Sequence, residues 1–159
     1  MAAFEYRQAQ EIRDRFRERG VRYLFIGKSG AILLGFPDTT QDADLFVEKT
    51  PDNCRALVKA LSELGFALTD EQAGQIIRGK DFVQLKQGPF DLDLVFAPDG
   101  IERFDEAWAR RVDVEGFPVC HIDDIIASKA ATNRQKDRES LPRLRSFREY
   151  WMQKVKQGR

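Results

Sequence analysis

The chain has 159 residues, with 26 Lys and Arg against 26 Asp and Glu, one histidine and a formal net charge of zero. Hydrophobic residues at 42% exclude a disordered chain, and the length suits one domain able to bury roughly 70% of its unfolded surface. No apolar run reaches the ~18 residues of a membrane span, and Cys54 and Cys120 lie outside any CxxC or Cys/His pattern, which argues against a disulfide framework or a zinc site.

In chain order, Phe4, Ile12 and Phe16 recur at helical spacing and predict an amphipathic helix over 3–19, stopped by Gly20. Val21 to Ile26 is apolar and β-rich, a buried strand. Gly27-Lys28-Ser29-Gly30 follows as a tight turn, and AILLGF as a short helix. Asp42 to Val47 is a second strand, carrying Asp on alternate positions. Pro51 opens a helix striped by Leu57, Leu61 and Leu64 and closed by Gly65. Residues 70–78 form a further short helix. Phe82 to Leu85 and Phe90 to Phe96 make a strand pair. Phe104, Ala107 and Trp108 mark a short helix. Val112–Val114 and Val119–Ile122 read as strands around Gly116, and Ile125 to Ala131 as a helix. A final helix over about 137–156 is striped by Leu141, Leu144, Phe147, Trp151 and Val155. The alternation of strands and helices predicts a single α/β domain over 1–159, with a small mixed sheet and helices packed on it.

The zero net charge hides a partition. Residues 1–37 sum to +3, residues 38–128 to −10 and residues 129–159 to +7. An acidic middle between basic ends fits either a mixed solvated surface or a cation-binding carboxylate site faced by anion-binding groups.

The acids carry the strongest signal. Side chains alternate along a strand, so Asp42 and Asp44 share a face, with Cα atoms ~6.5–7 Å apart. Asp91 and Asp93 in FDLDLVF do the same on a second apolar strand. Carboxylates are depleted in strands and costly when buried. If the two strands are neighbours, three or four carboxylates converge. Such a cluster suits two Mg²⁺ ions, or Mn²⁺ in their place, holding a triphosphate for in-line phosphoryl transfer. The Gly27-Lys28-Ser29-Gly30 turn offers an anion site, although it matches neither a Walker loop nor a Rossmann fingerprint. His121 reads as an ordinary strand-end residue, and Arg143, Arg145 and Arg148 as solvated surface.

The segment IGKSGAILLGFPDTTQDADLFV resembles the signature of the minimal nucleotidyltransferases of the polymerase-beta superfamily. The match falls on Gly27, Gly35, Thr40, Asp42, Asp44 and Leu45. It is most similar to small bacterial nucleotidyltransferase-like proteins, including those of abortive-infection and toxin–antitoxin systems. DLDLVFAPDGIERFDEAWARRV resembles the strand of the third acid, placing it at Asp93, and DDIIASKAATNRQKD resembles a basic box on Lys129, Arg134, Lys136 and Asp137. The resemblance spans most of residues 21–145. It implies a nucleotidyltransferase fold and metal-dependent transfer of an NMP from an NTP to an acceptor hydroxyl or phosphate. Asp42 and Asp44 would bind the metals; Asp93 would bind the catalytic metal and act as base. Gly27, Lys28 and Ser29 would hold the β and γ phosphates. Lys129, Arg134 and Lys136 would be secondary anion contacts, or else helix-capping groups around Asp137. The NTP base and the acceptor (tRNA, a protein or a small molecule) stay open. A second copy or an antitoxin-like partner is the expected way to complete the site, and a cytoplasmic location the expected setting. Two positions depart from the pattern: Lys28 replaces its second glycine and Asp38 its loop arginine. These departures favour the alternative of a catalytically degenerate module that binds a partner protein or RNA.

Overall fold

The computed structural model describes residues 4–158. Its elements follow in the order α1 (Tyr6–Arg19), β1 (Tyr23–Ile26), α2 (Gly27–Leu33), β2 (Asp42–Val47), α3 (Pro51–Leu64), α4 (Asp70–Ile77), β3 (Phe82–Leu85), β4 (Asp91–Val95), α5 (Phe104–Arg110), β5 (Val112–Val114), β6 (Phe117–Val119), α6 (Ile122–Thr132) and α7 (Gln135–Gln157). The predicted start of the first helix, Ala3, lies outside the described residues.

Local chemistry accounts for most of the boundaries. Gly20 and Gly65 end α1 and α3 in the left-handed conformation, with φ of 68° and 107°. The Thr50 hydroxyl accepts the Asn53 N–H at the start of α3, and Pro51 occupies its first turn, where no N–H is needed. Thr69 and Gln72 form a reciprocal capping box on α4.

Two expectations need correcting. The last predicted strand, Val119–Ile122, ends earlier: β6 is Phe117–Val119, and Ile122 begins α6. The switch falls at His121, whose Nδ1 accepts the Asp123 N–H and caps the helix. The helix after β1 starts at Gly27 itself, so strand and helix join without a separate turn. In α7, the apolar stripe prevails over Pro142, which sits inside the helix.

Six strands form one mixed sheet in the order β3-β4-β2-β1-β6-β5. β1 is antiparallel to β2, while β2 runs parallel to β4 and β1 parallel to β6. The core packs Phe25, Phe46, Phe117, Leu24, Leu45, Leu92 and Leu94 without solvent exposure or nearly so. α1 packs on α3, α6 on α7, and α2 on both β1 and β2 as well as α6. α2 and α6 thereby meet where the acidic strands lie. Among the described residues, no helix is long and apolar enough to cross a membrane.

Candidate active site

The parallel pairing of β2 with β4 sets Asp42 opposite Asp91 and Asp44 opposite Asp93. Residues in register on adjacent strands share a face, ~4.8 Å apart across the ladder. Four carboxylates therefore adjoin on one face, as the alternating pattern predicts. The intervening Ala43, Leu45, Leu92 and Leu94 point the other way and are fully buried. Hydrophobic burial on one face thus fixes the register that gathers like charges on the other.

The gathering has an electrostatic cost. Burial pushes the Asp44 carboxyl up to about 8, and the Asp93 charge adds to the effect. Asp93, 9% exposed, is raised by burial first and by Asp42 second. Asp93 Oδ1 is buried and has no hydrogen-bond partner. A buried acceptor without a donor is rare and costly. It is a lone-pair site of the kind a hard divalent cation uses, so the donor set fits Mg²⁺ or Mn²⁺ chemically. Among the described residues, no three His, Cys, Asp or Glu side chains are arranged as a ready metal-binding group; the acids adjoin by register.

The opening of α2 is fitted closely to Asp44. Gly27 has φ of 64°, and a Cβ there would collide with the Asp44 carboxylate. Gly30 approaches the β1 backbone so closely that a Cβ would sit 2.8 Å from the Phe25 carbonyl oxygen. The Ser29 hydroxyl, expected at the phosphates, is buried inside the fold. It accepts the Asp44 N–H at 3.0 Å and donates to the Ile26 carbonyl at 3.0 Å, tying α2 to both strands.

The cations divide into two groups. Lys28 Nζ lies 3.4 Å from Asp38 Oδ2, so the two departures from the family pattern face each other as an ion pair. Arg143, expected on the solvated surface, reaches the same carboxylate oxygen at 3.3 Å. On the other side, Lys129 Nζ lies 3.7 Å from Asp137 Oδ1, and Arg134 Nε donates to Asp137 Oδ2 at 2.8 Å. Asp137 is fully buried and also accepts the Arg134 N–H, closing the capping box of α7. Burial alone would raise the Asp137 carboxyl, but the Arg134 hydrogen bonds and the Lys129 charge bring it below its ordinary value. Lys129 is largely buried; burial lowers its ammonium, while the charges of Asp137 and Asp44 act in the opposite direction. It is thus a cation within electrostatic reach of the acidic face. Arg134 is exposed but engaged in capping, and Lys136 is exposed on the first turn of α7.

Sequence reasoning missed the Lys28–Asp38–Arg143 contact. Its visible signal was the opposite charge of the two departures. Arg143 lies 105 residues from Asp38, beyond any local pattern. A recess of about 580 Å³ borders this contact, lined by Phe36, Pro37, Pro142, Phe147 and Tyr150 with Arg143. A second, of about 800 Å³, lies by His121 and Trp151. Asp42, Asp44, Asp91 and Asp93 line neither.

No family model and no curated protein sequence matches the chain. Solved structures do. The lincosamide antibiotic adenylyltransferase LnuA, in a lincomycin-bound crystal structure, superposes with a TM-score of 0.64 at 13% identity, over 91% of this chain and 99% of that one. A putative nucleotidyltransferase from Thermotoga maritima gives a TM-score of 0.58 at 17% identity, over 89% and 92%. The protein has a nucleotidyltransferase fold.

Proposed function

We propose that this protein is a divalent-metal-dependent nucleotidyltransferase, moving an NMP from an NTP to an acceptor hydroxyl or phosphate with release of pyrophosphate. The observation that carries this reading is the pairing of Asp42 and Asp44 with Asp91 and Asp93, together with the unpartnered Asp93 Oδ1. Repelling carboxylates at the edge of a core destabilise a fold unless their charge is used. The nucleotidyltransferase fold shared with LnuA supports the class of reaction.

Asp42, Asp44 and Asp93 would hold Mg²⁺ or Mn²⁺. The metal would neutralise charge on the triphosphate and polarise the phosphorus under attack. Asp93 would also act as the base that accepts the proton of the attacking hydroxyl. Gly27, without a Cβ, lets the start of α2 pack directly against the Asp44 carboxylate. The Lys129 charge acts on Asp44, and Lys28, Arg134 and Lys136 would be further anion contacts. The Ser29 side chain has the different task of fixing Asp44, which leaves its backbone as the part able to face phosphate.

LnuA is a lincosamide antibiotic adenylyltransferase with lincomycin bound, so a small molecule is the acceptor class we would test first, ahead of tRNA and protein side chains. Incubation with an α-labelled NTP, Mg²⁺ and each acceptor class should label the acceptor, and a γ-labelled NTP should release labelled pyrophosphate. Absence of both with every NTP and acceptor would sink the assignment. One feature favours the second reading, a non-catalytic binding module: the Lys28 ammonium is engaged by Asp38 and not free. That reading predicts no thermal shift with any NTP and metal.

A further inference from the structure

Lys28 and Asp38 are held very differently. The Asp38 carboxylate is anchored without the lysine: the Thr39 N–H donates to Oδ1 at 2.7 Å, and Arg143 Nη1 donates to Oδ2 at 3.3 Å. Arg143 is fixed in turn. Its Nη2 donates to the Pro37 carbonyl at 3.2 Å, and its guanidinium lies 5.0 Å over the Phe36 ring. Phe36 is buried, so the acid rests on the core. Lys28 has a four-carbon stem, and its ion pair with Asp38 is part-exposed. It follows Gly27, where a Cβ would collide with the Asp44 carboxylate. A swing of the lysine alone would carry its ammonium between Asp38 and a phosphate bound near Asp44, while Asp38 would stay behind with two partners.

We propose that Asp38 is a resident competitor for Lys28, holding its ammonium in the free protein and yielding it to the triphosphate on nucleotide binding. The inference rests on the nucleotidyltransferase reading of the site and adds a determinant of affinity and selectivity to it. A triphosphate carries more charge than one carboxylate and displaces Asp38; an anion of lower charge, such as a nucleoside monophosphate, does so less well. Asp38 therefore weakens triphosphate binding more than monophosphate binding and narrows the gap between the two, so its removal favours the triphosphate.

The test is calorimetric titration of the α,β-methylene analogues of the four NTPs, and of NMPs, with Mn²⁺. The proteins are wild type, Asp38→Asn, Lys28→Met and the double variant, each checked for folding by circular dichroism. Asp38→Asn should tighten triphosphate binding about fivefold, the scale of one part-exposed ion pair, while slightly lowering the melting temperature of the free protein. Lys28→Met should weaken binding about fivefold, and in its presence Asp38→Asn should change affinity by about twofold at most. Opposite movements of stability and affinity separate competition from a structural role, which would lower both together. Unchanged or weaker binding by Asp38→Asn, or an equal gain without Lys28, overturns the proposal while leaving the nucleotidyltransferase reading in place. No binding of any analogue by wild type or Asp38→Asn overturns both.

Discussion

Asp44 and Asp93 are carboxylates poorly reached by water and strongly felt by each other. A carboxyl raised from 3.8 to about 8 favours the protonated state in the folded chain. Its contribution to stability is full below the ordinary carboxylate range and is lost as pH rises toward 8. The metal-free protein should therefore melt at progressively lower temperature between about pH 4 and pH 8 on account of this group. At pH 8, Asp44→Asn should raise that midpoint by about 2–4 °C, the equivalent of about 1 kcal/mol at this chain length. Metal binding carries the opposite sign, because a carboxyl must lose its proton to become a ligand. Mn²⁺ affinity should rise from pH 6 to pH 8, with proton release detectable as a buffer-dependent calorimetric heat; a flat profile would contradict the raised Asp44. The identity of these acids is legible in the sequence, because two-residue alternation states which side chains share a face. The Asp38–Arg143 contact is not, because it depends on where α7 crosses the α2–β2 loop.

At the scale of elements, α2 is positioned by three small residues that tolerate no bulk or no loss. Ser29→Ala leaves the Asp44 N–H without its acceptor and should cost about 1–3 kcal/mol in denaturant unfolding, and displace Asp44 enough to weaken metal binding. Gly30→Ala drives a methyl into the Phe25 carbonyl and should cost about 1–3 kcal/mol through overpacking. The α6–α7 corner turns on Asp137, buried between Lys129 and Arg134. Asp137→Ala removes the cap and leaves Lys129 largely buried without its partner, so unfolding should become about 3–5 kcal/mol easier. Stability unaffected by that change would show that the corner is held by apolar packing alone. The sequence places α3 almost to the residue, because Thr50, Pro51 and Gly65 each act locally. It misplaces the start of α6. The apolar run Val119 to Ile122 satisfies a strand pattern, and only the cap at His121 reveals the change of element.

At the scale of the whole molecule, the balanced charge of the chain conceals a spatial arrangement. The acidic middle supplies β2 and β4, and the basic C-terminal part supplies Lys129 on α6 and all of α7. The fold brings the two together through the packing of α2 on β2 and on α6. The class of fold follows from element order, but the adjacency of β2 and β4 does not. α3, α4 and β3 separate the two strands in the chain, and only their parallel pairing in the sheet turns two isolated acidic motifs into one site. The central claim is that this site binds metal and nucleotide together. It is tested most directly by titrating Mn²⁺ and an α,β-methylene NTP against wild type and Asp42→Ala/Asp44→Ala, with folding verified. Substitutions that merely perturb a metal ligand's support cost about 10–100-fold, so loss of these acids should weaken metal-dependent nucleotide binding by about 100-fold or more. Equal binding by the two folded proteins would contradict the account.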